Sequence, residues 1–316
     1  MLAAVDTPVK PLSDILQSLS ELVPLVMEAT GLSERAVIDG LVRENKSLGS
    51  TVWNELQERK IPPFQWTDAL VGFYRDTSAF VFESIIWNRS GLKRQMQQWI
   101  VDFLAREFNR PVRVLVFGDG LGFDSVCLAA AGHDVSYFEV SNKALRFAER
   151  LFEQCGSRVD VLTAVEQIHP KTYDAVVCLD VLEHVPAPAE TVKSLAKALT
   201  SDGRLIVHAP FWYLGKSVGT HLAENRRYSG DTRRLYKPNG LRPVDASLFW
   251  NPIALTNQPR RVCAGWGARF RIALGGGLLS IGRFWSAPHA WITRQLLARS
   301  IPPWADQNRD DSEAAS

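Results

Sequence analysis

The sequence predicts an α/β fold: a doubly wound, mostly parallel sheet, preceded by a helical extension and followed by a basic, aromatic addition. Three observations carry this. The apolar run 112–117 ends in glycines at alternate positions, Gly118, Gly120 and Gly122. The Ala-rich stretch after them is helix-like and stops at Gly132. A second strand-like run, 133–142, carries the acid Glu139 near its end, 21 residues after Gly118. Strand, glycine loop, helix and acid-tipped strand form the first half of a nucleotide-binding βαβ unit. Glycines let a ligand touch the main chain, and the acid accepts hydrogen bonds from ribose hydroxyls.

The remaining elements follow in chain order. Residues 12 to about 108 read as helices, with Ile15, Leu16, Leu19, Leu22, Val23 and Val26 at one helical spacing and Ser33 as an N-cap. Pro62 and Pro63 break the run. Phe73, Tyr74, Phe80, Phe82, Trp87 and Trp99 then form an aromatic series that packs against the sheet domain, caps an acceptor pocket, or does both. After Glu139, strands are expected at 158–164, 173–180 and 204–210, with a helix between the last two and Gly203 just past its end. Ligands in such sheets bind outside the carboxyl ends of the strands. That rule places Gly118, Glu139, Asp180 and Pro210 on one rim. Residues 211–231 therefore cross it as a loop or short-helix lid. A strand pair around Asn251-Pro252, within 246–258, completes the sheet.

The nicotinamide fingerprint needs a third glycine where this chain has Phe123. The G-x-G-x-G loop, Glu139 and the segment YDAVVCLDVLEHVP (173–186) instead resemble the class I S-adenosylmethionine-dependent methyltransferases, in their small-molecule, quinone-biosynthesis-like branch. The resemblance covers roughly residues 95 to 260. It implies a Rossmann-like seven-stranded sheet with a reversed final strand, and S-adenosyl-L-methionine as cofactor. It places Gly118, Asp119, Gly120 and Gly122 under the methionine part and Glu139, Val140 and Ser141 at the ribose. Ala164 and Val165 fall at the adenine, and Asp180 and Val181 lie beside cofactor and acceptor. Two positions depart from the family pattern. Val116 stands where an acid often helps orient the methionine amine, so Asp119 or main-chain carbonyls substitute. The residues after the third strand offer no acid at the usual adenine position, which leaves apolar and backbone contacts.

Methyl transfer to an oxygen of a small-molecule or lipid-like acceptor is the activity expected. A general base suits a hydroxyl acceptor, and histidine serves near neutral pH. His221 is the first choice and His184 the second, whereas His208, inside a strand, reads as a core histidine. The alternatives are a nicotinamide-dependent oxidoreductase and a non-catalytic methyltransferase-like binding protein.

A chain of 316 residues with 46% hydrophobic and 22% charged residues belongs to the ordinary globular class. A net charge of +2 calls for no polyanionic partner, and the (D/N)PP(Y/F) motif of nucleic-acid amino-methyltransferases is absent, so no nucleic acid is expected. The four cysteines, Cys127, Cys155, Cys178 and Cys263, form no metal-binding spacing, and no metal ligand is assigned. Cys127 and Cys178 read as small buried hydrophobes. With no signal peptide and no apolar run of membrane-spanning length, the expected location is cytoplasmic, with or without peripheral membrane contact.

From 246 to 304 there is no Asp or Glu, but there are seven arginines interleaved with tryptophans. Residues 260–300 are therefore either a packed lid or a contact with an anionic membrane. The domain boundaries expected are a helical region at 1–108, the cofactor domain at 109–260, a basic aromatic segment at 261–304 and a disordered tail at 305–316.

Overall fold

The computed structural model describes residues 9–258, 265–282, 284, 291, 295 and 299–304. The tail 305–316, Cys263, Trp285, Arg260, Arg261, Arg283 and Arg294 lie outside the described residues. Seven helices come first: α1 (Leu12–Gln17), α2 (Leu19–Thr30), α3 (Glu34–Lys46), α4 (Ser50–Glu58), α5 (Asp68–Asp76), α6 (Ala79–Arg89) and α7 (Gly91–Phe108). The alternating part follows as β1 (Arg113–Phe117), α8 (Phe123–Ala130), β2 (Asp134–Phe138), α9 (Asn142–Gln154), β3 (Val159–Leu162) and β4 (Tyr173–Leu179). It continues with α10 (Pro188–Ala198), β5 (Leu199–His208), α11 (Thr232–Leu235), β6 (Arg242–Ala246), β7 (Ile253–Thr256) and α12 (Trp266–Gly282).

The seven strands make one sheet in the order β3-β2-β1-β4-β5-β7-β6. β1 to β5 are parallel, and β7 runs antiparallel to both its neighbours, so the reversed strand is present. β1 is buried at Val114, Leu115 and Val116 and β4 at all but Asp174, as expected of strands covered on both faces. Alternate residues serve opposite faces. Leu115, Val176, Cys178, Leu205 and Val207 pack with Val192 and Leu195 of α10. Val114, Val116, Ala175, Val177 and Ile206 pack with Ile100, Phe103 and Leu104 of α7. The N-terminal helices share a third cluster with α8 and α9, in which Ile15, Leu22, Val26 and Phe82 meet Phe123, Phe147 and Leu151.

Caps explain most boundaries. Ser33 accepts from Ala36 N–H, as the sequence predicts, and Ser90 and Ser141 cap α7 and α9. Three expectations are corrected. The apolar series Ile15–Val26 is two helices, because Ser18 is extended and its side chain caps α2 through Glu21 N–H. β5 begins at Leu199, which pairs with Tyr173, so residues 199–203 are strand rather than the end of a helix. The final hairpin uses 242–246 and 253–256, with Leu248–Trp250 as a single turn of helix in the connection. Cys178 is fully buried, whereas Cys127 is half-buried.

Candidate active site at the carboxyl rim of the sheet

β1 and β4 are neighbours whose connections lead to opposite sides, so the rim opens between Gly118 and Asp180. Two loop glycines are fixed by packing. Gly118 has φ +74° and a Cβ there would lie 2.5 Å from Val181 Cγ2. Gly122 has φ +82° and a Cβ would lie 2.7 Å from Phe152. Over Gly120, by contrast, the nearest atom to such a Cβ is Ser84 Oγ at 3.7 Å. The first and third glycines let the loop sit tight, and the middle one has only an ordinary contact above it. Glu139 clasps this loop: one carboxylate oxygen accepts from Gly120 N–H (3.0 Å), the other from Val140 and Ser141 N–H (2.7 and 2.9 Å). Burial raises the Glu139 pKa and these three donors pull it back only in part. Tyr137 donates to the Gly120 carbonyl (2.5 Å).

Asp119 points elsewhere. Its oxygens accept from Asp124 and Ser125 N–H (3.1 and 2.7 Å), holding the first turn of α8. Burial and the neighbouring Asp124 push it up to about 8. Lys93 balances this cluster, donating to Asp124 at 2.8 Å and lying 3.8 Å from Asp180.

Asp180 has φ +57° and joins three elements. Its carboxylate accepts from Trp87 Nε1 of α6 (2.9 Å) and from His208 Nδ1 of β5 (2.6 Å). Burial would raise its pKa, but His208, Lys93 and Trp87 outweigh burial and hold it below the ordinary carboxylate range. His208 is thus the satisfied buried histidine the sequence suggests.

One turn further on, Glu183 is 1% exposed, and neither of its oxygens has a hydrogen-bond partner. His184 Nε2 and His221 Nε2 approach it at 3.8 and 3.9 Å. The two imidazoles lie edge to face with centroids 4.7 Å apart. His221 Nδ1 donates to the Tyr213 carbonyl (2.8 Å), which leaves Nε2 as the lone-pair nitrogen. His184 Nδ1 lies 3.1 Å from Tyr74 Oη and 3.3 Å from the Thr220 carbonyl. Burial depresses both histidines, His184 to about 4 and His221 well below its ordinary value. Burial, and then Asp180, raises Glu183 well above its own.

Glu183, His184 and His221 offer one ligand atom each, all within 4.8 Å of one another. An unpartnered buried carboxyl beside two neutral imidazole nitrogens could hold a divalent cation, and the Tyr213 carbonyl behind His221 orients its ring. No metal ligand is expected from the sequence; the cluster forms only because the fold brings His221 to Glu183 and His184.

Of the other residues expected here, Val140 is 81% exposed just past β2, and Ser141 caps α9. Ala164 and Val165 open a short turn after β3, with Val165 51% exposed on the same rim. Residues 211–231 do form short helical turns, but they are not a loose lid. Asn225 donates to the carbonyls of Leu182, Glu183 and Val185, and Leu222 N–H donates to Glu183 O. The aromatic series divides: Phe73 and Phe82 are core, while Tyr74 and Trp87 reach His184 and Asp180.

Residues 89–237 match a family model described as a methyltransferase domain. A ubiquinone biosynthesis O-methyltransferase of Idiomarina loihiensis is 31% identical over 161 residues, covering 45% of this chain and 66% of that protein. One of Nitrosomonas europaea is 36% identical over 94 residues, covering 28% of this chain and 40% of that protein. The chain thus spans about half the length of the curated relatives it matches. Among solved structures, a magnesium protoporphyrin IX methyltransferase from Synechocystis is 21% identical, covering 66% of this chain and 95% of that one with a TM-score of 0.42.

Proposed function

We propose, from the premise that this chain belongs to the class I S-adenosylmethionine-dependent methyltransferases, that it moves a methyl group from S-adenosyl-L-methionine to a hydroxyl of a small, quinone-precursor-like acceptor. The observation that carries the reading is the loop clasp: Glu139 holds Gly120 N–H, and a Cβ at Gly120 would meet nothing closer than Ser84 Oγ at 3.7 Å. The Glu139 oxygen that accepts from Gly120 keeps a second acceptor site for a ribose hydroxyl. Val140, Ala164 and Val165 supply apolar and backbone contacts for the adenine. With Asp119 committed to α8, loop carbonyls take the methionine amine. Asp180, held ionised on the same rim, would stabilise a positive sulfonium bound there.

In the transfer, the acceptor oxygen attacks the methyl carbon, the S–CH₃ bond breaks with its electrons passing to sulfur, and S-adenosylhomocysteine leaves. The hydroxyl proton must be removed. His221 or His184 is positioned as the base through its Nε2, but burial leaves both weakly basic. The unpartnered Glu183 therefore favours a second component, a divalent cation held by Glu183, His184 and His221. Such a cation would lower the pKa of an acceptor hydroxyl.

Phe123, buried in the helix start where a dinucleotide site needs glycine, disfavours nicotinamide chemistry. No helix among the described residues is long and apolar enough to cross a membrane. A cytoplasmic enzyme with peripheral membrane contact through residues 260–300 is the location we propose. The test is release of S-adenosylhomocysteine by purified protein against a panel of phenolic and other small acceptors, with and without a chelator. No cofactor binding by calorimetry would refute the reading. Binding without turnover on any acceptor would favour a non-catalytic binding protein.

A further inference from the structure

We infer that α12 is an in-plane anchor that seats this chain on an anionic lipid bilayer. The helix is docked the wrong way round for an ordinary surface helix, which buries its large apolar residues and exposes polar ones. Its buried positions are Gly275, Gly276, Leu279 and Gly282. A Cβ at Gly275 would lie 2.5 Å from Trp250, and one at Gly276 2.9 Å from the same ring. The contact is fixed by Trp250 Nε1 donating to Ile272 O (3.0 Å), Ser229 to Leu279 O (2.8 Å) and Arg271 to Ala246 O (2.7 Å).

The outward face carries Trp266, Phe270, Leu274, Leu278 and Ile281, exposed by 88, 66, 37, 37 and 58%. These positions step by four, four, four and three, which makes one continuous apolar stripe. Phe284, just past the helix, is 75% exposed. The stripe is too short to span a bilayer but suits a helix lying in the headgroup layer.

Charge selects the occupant. Residues 246–304 contain seven arginines and no carboxylate, and Arg269 and Arg299 are exposed. A second copy of this face would set arginine against arginine, whereas anionic headgroups complement it. Tryptophan at the start of the stripe fits the same boundary layer.

The anchor also adjoins the site. A Cβ at Gly282 would lie 3.8 Å from Trp212, Trp212 stacks on Tyr213 with centroids 4.9 Å apart, and the Tyr213 carbonyl holds His221. Docking through α12 would bring the acceptor side to the lipid surface, as an acceptor with an apolar tail requires. That last step rests on the function proposed above.

The experiment is co-sedimentation of the full chain with vesicles of phosphatidylcholine alone and of phosphatidylcholine mixed equally with phosphatidylglycerol. The wild type should bind the mixed vesicles, with binding falling as salt rises. The combined variant Trp266→Ser, Phe270→Ser, Ile281→Ser should bind them at least tenfold more weakly, with unchanged melting and unchanged cofactor affinity by calorimetry. Arg269→Glu should weaken binding to the anionic vesicles only. Wild-type failure to bind anionic vesicles at low salt, or undiminished binding by the triple variant, would overturn the inference. So would a wild-type dimer that the triple variant converts to monomer, since the occupant would then be a second copy. Cofactor affinity, read without vesicles, reports on the methyltransferase reading separately.

Discussion

Replacing Glu183 by Gln tests the chemistry of the rim most sharply. The wild-type side chain is 1% exposed, with two imidazole nitrogens at 3.8 and 3.9 Å and no hydrogen bond to either oxygen. A buried polar group left unsatisfied costs about 1–3 kcal/mol. Glutamine removes the ionisable group and turns an N–H₂ toward lone-pair nitrogens, so the metal-free variant should be more stable by about that amount. For a domain of this size that is a rise in Tm of roughly 2–10 °C. A divalent cation at about 100 times its Kd should add about 2.7 kcal/mol to the wild type and nothing to the variant. Scanning calorimetry with magnesium, manganese and zinc in turn reads both effects. The signs with pH are fixed by the shifts. Glu183, raised by burial, makes the metal-free wild type less stable as pH climbs from the ordinary carboxyl value through its raised one, a slope the variant lacks. His184 and His221, lowered by burial, contribute stability that is full above their ordinary 6.5 and is lost as pH falls toward their folded values. If no cation shifts the wild-type Tm and the variant melts no higher, the cation reasoning is wrong.

Other outcomes follow from the same geometry. Glu139→Ala should weaken S-adenosylmethionine binding about 10- to 100-fold, since hydrogen bonds to a charged group contribute roughly 1.5–3 kcal/mol; unchanged affinity by calorimetry would remove Glu139 from the site. Gly118→Ala sets a Cβ 2.5 Å from Val181 at φ +74°, so it should lower both Tm and cofactor affinity, and Val181→Ala should restore only part of the loss because the backbone strain of about 1–2 kcal/mol stays. His221→Ala and His184→Ala should each lower turnover about 10²- to 10⁴-fold on the true acceptor. Near-full turnover in both would leave positioning alone as the source of rate.

What the sequence made legible was local. The glycine loop and Glu139 sit within one βαβ unit, where spacing alone implies geometry. In the structure Gly120 N–H meets Glu139, and Gly118 N–H donates to the carbonyl of Phe138, next to Glu139. The break at Ser18 was not legible, because the apolar period runs unbroken across it. Residues 199–203 misled because Thr-Ser-Asp-Gly composition reads as a helix stop, whereas pairing with Tyr173 decides the conformation. Glu183 beside His184 reads as an ordinary polar pair after a strand. Its meaning depends on His221, which reaches it through a segment without periodicity. Trp87 and Tyr74 were visible as aromatics, but their site contacts are 93 and 110 residues away in the chain.

Those separations bear on how the chain reaches its native state. Arg89, at the end of α6, donates to the carbonyls of Pro302 and Pro303, and its guanidinium lies 3.2 Å from the centroid of the Trp304 ring, which is 1% exposed among the N-terminal helices. The residues so joined stand 213 and 214 apart. At synthesis rates of 5–20 residues per second, α6 leaves the ribosome roughly 10–40 s before its last partner does. For roughly the first half of that interval Trp87 lacks Asp180 and Tyr74 lacks His184, and throughout it Arg89 lacks its aromatic cover. Loop closure over such distances slows folding. The helices that wall the site must therefore wait, partly unburied, for the sheet that gives them a function.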